Sequence, residues 1–187
     1  MGVSRVPIRS ALDKLAAEGL VVMQPRKGVM VTPISVENLT HIFNMRCYLE
    51  PIAVLEAIAK STSTDFVALR ETLDCQDHVT DDLELMLTQN RDFHFAIFSL
   101  TRNETLIGIL KNLWEQSDRY RRIYFTKPKQ RDRIIRDHYE VVDLISAGKK
   151  QEAADRIVLH TRESLNILLQ VIFSEEASPL IVKIQSI

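Results

Sequence analysis

The sequence predicts a mainly α protein: an antiparallel bundle of about six helices preceded by a short helix and a β-hairpin. Three observations carry that expectation. From Ser35 onward apolar side chains recur at helical spacing, broken by short polar or Pro/Gly-containing stretches. Five glycines and six prolines in 187 residues are too few for an all-β chain full of turns. The two β-branched runs lie close together near the N-terminus, on either side of Gln24-Pro25-Arg26-Lys27-Gly28.

The elements follow in order. From Ser4 to Glu18, Val6, Ile8, Leu12, Leu15 and Ala16 mark roughly one face of a helix. Ser4 is placed to cap it, Pro7 falls in its first turn, and Gly19 stops it. Leu20–Met23 and Val29–Thr32 then read as two short strands of a hairpin with a basic tip, closed by Pro33. A helix followed by such a hairpin is the second half of a winged helix-turn-helix. Helical segments are expected near 36–61, 64–78, 81–101, 104–125, 129–147 and 150–174. Ser61-Thr62-Ser63-Thr64, Thr80, Asn103, Lys127-Pro128 and Gly148 divide them, with Gly148 the C′ residue of its helix. The chain therefore divides into residues 1–33 and an all-helical domain over 34–187. The tail from Glu175 fits no element.

Composition narrows the function classes. An apolar fraction of 45% and a charged fraction of 26% are those of a globular protein. No apolar run reaches the roughly 18–20 residues that cross a bilayer, so no membrane partner is expected. There is no signal-peptide pattern, and Cys47 and Cys75 lie far apart in expected helices. The chain reads as cytoplasmic and reduced. Within residues 1–33, Arg5, Arg9, Lys14, Arg26 and Lys27 against Asp13 and Glu18 give +3, while the whole chain carries −1. A basic head on an acidic body is the charge pattern of a nucleic-acid-binding module joined to another domain.

Arg5 and Arg9 are four apart, so a helix presents both on one face, where they suit guanine edges or phosphates in a major groove. Arg26 and Lys27 at the hairpin tip suit phosphates or the minor groove, and Gly28 lets the backbone approach closely. A solvated basic face on a small surface helix is the alternative. The run Gly2-Val3-Ser4-Arg5-Val6-Pro7-Ile8-Arg9-Ser10-Ala11-Leu12, with Leu15-Ala16-Ala17-Glu18-Gly19-Leu20-Val21, resembles the recognition helix and following strand of the GntR family. That resemblance implies DNA contacts by Arg5 and Arg9, with Ser4 nearby and Arg26, Lys27 and Gly28 in the wing. Val6 stands where the family commonly has Thr, so a contact through that hydroxyl is lost. The family's winged helix has two further helices ahead of this point. Without them Leu12, Leu15 and Leu20 lose cover, and the expectation is a poorly ordered head that binds operator DNA weakly or not at all.

Five histidines are present, and three fall on expected long helices among apolar neighbours: His94, His138 and His160. Asn90 and His94 are spaced i, i+4 and share a face with Phe93 and Ile97. Imidazoles from three helices of a bundle can converge on one ion, or each can be a core or boundary residue, as His41 and His78 are taken to be. Residues 36–172 resemble the FCD domain, the effector domain of the FadR subfamily of GntR regulators. Arg46-Cys47-Tyr48-Leu49-Glu50-Pro51 is similar to its opening R-x-x-L-E-P, and Asn90-Arg91-Asp92-Phe93-His94 to its D-x-x-F-H. Asn103, Asp137-His138 and the stretch from Ala153-Ala154 to His160 match its later elements.

The resemblance implies a divalent metal ion on Asn90, His94, His138 and His160, zinc first, with nickel or manganese as alternatives. Asn90 stands where Asp is commoner; its amide is a weaker ligand and leaves the site more positive by one charge. An incompletely ligated cation between helices would receive a small organic acid such as a sugar acid or hydroxy acid. Arg46 is the candidate clamp for the carboxylate, its alternative being a surface salt bridge with Glu50. Arg119 and Arg122 are further candidates to face the cavity. The implied function is a ligand-responsive transcription regulator, a homodimer reading a palindromic operator. Two other classes are a metal-dependent enzyme and a metal-free dimerisation module. The enzyme lacks a general base, since Glu140 and Asp137 flank His138 with nothing to aim either at an ion.

Overall fold

The computed structural model describes residues 5–17, 19–25, 27–77, 82–125 and 128–176. The head comprises α1 (Arg5–Ala17), β1 (Val21–Gln24) and β2 (Gly28–Val31). Gly19, at φ 73°, ends α1: its N–H reaches the Ala16 carbonyl at 3.0 Å, and the next N–H, of Leu20, reaches Leu15 at 2.9 Å. Those two bonds are the paired C-terminal closure that a left-handed residue permits. They also explain why the first strand begins at Val21 and not at Leu20, whose N–H belongs to the helix. The strands pair antiparallel with Val21 opposite Val31 and Gln24 opposite Gly28. Gly28, at φ 94°, turns the tip at little cost because it has no Cβ. Among the described side chains of α1 none is buried; Leu12, Leu15 and Ala16 are half-covered and Ile8 is 49% exposed.

Six helices follow: α2 (Val36–Lys60), α3 (Ser63–Asp77), α4 (Leu83–Ser99), α5 (Glu104–Phe125), α6 (Pro128–Ser146) and α7 (Lys150–Glu176). Their ends fall where the polar breaks predict them, for local reasons. Ser35 caps α2, accepting from Asn38 N at 3.1 Å. Asp82 caps α4 through Glu84 N and Leu85 N, and the Asn103 side chain accepts from Leu106 N at 3.1 Å at the start of α5. Gly148, at φ 69°, closes α6 by bonds from its own N–H to Ile145 and from Lys149 N to Leu144, both 3.0 Å.

The bundle is centred on α2, which packs against α4, α5 and α7. Helix α7 runs antiparallel along it, with Glu50 bonded to Thr161 and Phe43 near Leu168. Two apolar clusters fill the interior. One, with Ala53, Phe93, Phe98, Trp114, Val141 and Ile157, occupies the end away from the head. The other, with Leu39, Phe43, Tyr120, Ile134 and Leu168, lies at the head end. Each fully buried large side chain contributes about 1.5–3 kcal/mol. The polar site described below sits where these clusters meet.

Head and bundle are tied at the linker. The fully buried Tyr120 hydroxyl accepts from Ser35 N and donates to Ser35 O, both at 3.3 Å, and accepts from Arg119 at 3.0 Å. Arg119 also donates to the Thr32 carbonyl. Tyr120→Phe is expected to cost about 1–2 kcal/mol, since it leaves the Ser35 amide without its partner, and to hasten proteolysis around Thr32–Ser35. Urea unfolding and limited proteolysis check this; an unchanged midpoint and cleavage rate would contradict the tie.

Candidate metal centre and DNA-contacting head

His94 on α4, His138 on α6 and His160 on α7 converge in the middle of the bundle, at 0%, 0% and 4% exposure. Their candidate ligand atoms all lie within 4.8 Å of one another. Ring centroids are 4.9 Å apart for His94 and His138, 4.8 Å for His138 and His160, and 5.4 Å for His94 and His160. A modest rotation of the rings brings such nitrogens to the roughly 3.3 Å that separates two ligands about 2.0–2.1 Å from one tetrahedral ion. Phe93 stacks on His138 at 4.1 Å and Trp114 lies 4.6 Å from His94, which fixes the ring planes.

The protonation states suit a cation. Burial, reinforced by His138 and His160 and then by Arg46 and Arg121, holds His94 well below the ordinary histidine range. His138 is held down likewise, by burial first and then by His160, Arg156 and Arg133. Both rings are therefore neutral and keep a lone pair. Neither nitrogen of His94 has a hydrogen-bond partner among the described residues although both are buried, which native interiors seldom tolerate. His160 is oriented from behind: its Nδ1 lies 3.0 Å from Asp137 Oδ2. With Nδ1–H donating to that carboxylate, Nε2 is left as the ligand atom. Asp137 is itself held by Arg156 and by Arg133 at 3.3 Å. Burial raises its pKa, but the His160 hydrogen bond and the charges of His160, Arg156 and Arg133 outweigh that and lower it. The residues present thus fit a metal ion bound by neutral nitrogen ligands.

Asn90, one turn before His94, is buried and lines the same small cavity of about 20 Å³ together with Phe43, Arg46, Trp114, Arg121 and His160. Arg46 is 3% exposed, so its pairing with Glu50 at 2.7 Å is not the surface salt bridge considered as an alternative. Glu50, with no exposure, also accepts from Trp114 Nε1 at 3.2 Å and Thr161 Oγ1 at 2.7 Å. Arg119 and Arg122 do not line this cavity. Arg119 serves the linker, and Arg122 faces outward, paired with Glu84 and with Asp118 at 3.3 Å.

The arginine that does enter is Arg121, which the sequence reading passed over. It lies 4.1 Å over Trp114, with Arg46 also over that indole at 4.3 Å. Arg121 donates to Ser117 at 2.7 Å, to the Trp114 carbonyl at 3.0 Å and to the half-exposed Asp118 at 2.9 Å, but its buried Nε has no partner. Burial, then Arg46, pushes its pKa down to about 9, which still leaves it a cation at neutral pH. A detectable signal existed: Trp114, Ser117 and Arg121 recur at i, i+3 and i+7, the inward stripe of α5.

In the head, Arg9, Lys27 and Gly28 are exposed, on α1 and at the hairpin tip. Ser4 and Arg26 lie outside the described residues, as does the side chain of Arg5. His41 is exposed, and His78 lies outside the described residues.

Two outcomes follow from these electrostatics. Below about pH 6.5, where unfolded histidine takes up protons, folded His94 and His138 resist protonation. The unfolded state then binds more protons, so the metal-free protein loses stability as pH falls through that range, by up to about 1.4 kcal/mol per pH unit for each histidine. Thermal midpoints between pH 7.5 and 5.5 test the sign; a flat profile would refute it. Glu50→Leu, which strands Arg46, is expected to cost about 3–5 kcal/mol, and adding Arg46→Met should restore most of it. Urea titration of the single and double variants measures both; no recovery in the double variant would show that lost packing, not lost charge balance, carries the cost.

The comparisons with known proteins agree with this architecture. Residues 41–163 match the FCD domain family, and residues 1–31 match the bacterial regulatory proteins of the gntR family. The Nta operon transcriptional regulator of Aminobacter aminovorans is 27% identical over 91% of this chain and 80% of its own length. The HTH-type regulator YdhC of Bacillus subtilis is 24% identical over 91% of the chain and 78% of its own. Among solved structures, McbR/YncC of E. coli shares the fold with a TM-score of 0.79 at 22% identity, over 91% of this chain and 87% of that one. A GntR regulator from Rhodococcus sp. RHA1 gives 0.72 at 20% identity, over 90% and 81%. These relatives are regulators and not enzymes, and the chain belongs to the GntR family of bacterial transcription regulators, in the branch that carries an FCD domain.

Proposed function

We propose that the FCD domain of this regulator is a metal-dependent sensor of a small carboxylate, and that ligand binding there alters operator binding by the head. The observation that carries the reading is His94: two buried, unpartnered nitrogens facing two further buried histidines. His94, His138 and His160 would hold the ion, with the Asn90 amide oxygen as a fourth, weaker ligand. Zinc is the first candidate, with nickel or manganese as alternatives. Bound there, the ion would supply a positive Lewis-acid centre for a carboxylate oxygen. Arg46 and Arg121 surround that position with two buried guanidiniums against one fully buried carboxylate, Glu50. The half-exposed Asp118 pairs with Arg121 at 2.9 Å, so the ion would supply the excess that favours an anion, and the planar guanidinium fork suits a carboxylate.

On the DNA side, Arg5 and Arg9 on α1, with Ser4 at its start and Arg26, Lys27 and Gly28 at the wing, form the proposed operator-contacting set. Two copies of the chain related by a two-fold axis would present two such heads to a palindromic site. Arg119 and Tyr120 grip the linker two residues and one residue before Arg121, so a shift of α5 on ligand binding would move the head.

The test is the metal content of the purified protein beside that of His138→Ala, with thermal melting before and after a chelator. About one transition metal per chain in the wild type, lost in the variant along with a drop in melting temperature, is the expected result. No metal in either protein after reconstitution with zinc, nickel or manganese would overturn the reading. Asn90→Asp should tighten metal binding by at least about tenfold, because a charged ligand replaces a neutral one. Equal affinity in a competition titration would remove Asn90 from the ligand set.

A further inference from the structure

Outside the histidine cavity lies a groove of about 740 Å³ between α4 and α5, lined also by Leu20 of the head. Its size falls in the range of small-molecule sites. Trp114 and Arg121 line both the groove and the inner cavity. The inner cavity, about 20 Å³, admits one water-sized group and no organic acid. Any acid whose carboxylate reaches the centre must therefore keep its body elsewhere, and the chamber that shares its wall is this groove.

The groove's lining states what that body should be. Leu20, Leu87, Phe95 and Trp114 supply apolar surface. Basic side chains outnumber acidic ones by five to three. Arg121, at 7% exposure, brings a buried Nε–H without an acceptor, and Arg119 brings another.

We infer that the outer groove is the main chamber of the effector site and takes an organic acid with an extended apolar or aromatic body. Its carboxylate lies at Arg121, at the wall shared with the inner cavity, and its body lies along the apolar lining of Leu20, Leu87 and Phe95. This rests on the reading of the bundle as a carboxylate sensor. It differs from that reading in the size of the ligand, since sugar acids and hydroxy acids leave most of the groove empty. It also places the ligand in direct contact with the DNA-binding head.

The experiment is calorimetric titration of the zinc-loaded full chain with acetate, butyrate, hexanoate and octanoate, in the wild type and in Thr88→Trp and Leu20→Ala. Thr88 is exposed, lines the groove and is no part of the metal site. The expected wild-type result is about a fourfold gain in affinity for each added methylene. Thr88→Trp, which fills the groove, should weaken octanoate by tenfold or more and leave acetate unchanged. Leu20→Ala should weaken octanoate alone. Equal affinity for acetate and octanoate overturns the inference while leaving the carboxylate reading intact, as does octanoate binding that neither variant alters. Failure of every acid to bind the wild type overturns the carboxylate reading, and this inference with it.

Discussion

Glu50 is the point on which three helices agree. Its carboxylate, without exposure, takes hydrogen bonds from Arg46 on its own helix, from Trp114 on α5 and from Thr161 on α7. A buried carboxylate left unpaired costs several kcal/mol, so α2, α5 and α7 must keep one relative placement to satisfy it. That placement has consequences further out. Trp114 is pinned by its indole N–H, and its faces then receive Arg46 and Arg121. Thr161 on α7 is the neighbour of His160, whose ring is set by Asp137 on α6. The histidine cluster is thus set by Asp137 at His160, by Phe93 at His138 and by the pinned Trp114 beside His94.

The same helix, α5, serves both ends of the molecule. Trp114 and Arg121 face the inner cavity, while Arg119 and Tyr120 bind the linker at Thr32 and Ser35. Within a helix such residues move together, because the backbone hydrogen-bond ladder resists relative displacement over two or three residues. Information about the cavity therefore has a short physical route to the head. The head itself is held lightly: none of the described side chains of α1 is buried.

Much of this was legible in the sequence. Helix limits were readable because they are set locally, by Ser35, Asp82, Asn103 and Gly148, whose side chain or absent Cβ satisfies helix-end groups wherever the rest of the chain goes. The histidines stood out because imidazoles are rare on apolar faces, and the spacing of Asn90 and His94 put both on one side of α4. Arg121 was missed for an equally physical reason. In Arg119-Tyr120-Arg121-Arg122 the three arginines look alike, and which one turns inward depends on the packing of Trp114 and Ser117 beneath it. Arg46 was readable as Glu50's partner, but its burial was not, because nothing in the spacing shows that α7 covers the pair.

Charge counting ties the proposed metal to the proposed effector. With Asp137 offset by Arg133 and Arg156, Arg46 and Arg121 are balanced by Glu50 and by the half-exposed Asp118 that pairs with Arg121, so the net charge is close to zero before any ion enters. A divalent ion on the proposed set of three neutral imidazoles and a neutral amide would create a surplus of two, since Asn90 brings no charge where Asp would bring one. In a low-dielectric interior an uncompensated surplus is costly, and an anion beside the ion would relieve it. The proposed metal and carboxylate would then strengthen each other's binding by the same factor. An Asn in place of Asp lowers affinity for the ion in isolation and enlarges that mutual factor. On the proposed reading, the Asn that weakens the site for an ion alone would therefore improve it as a detector of acids.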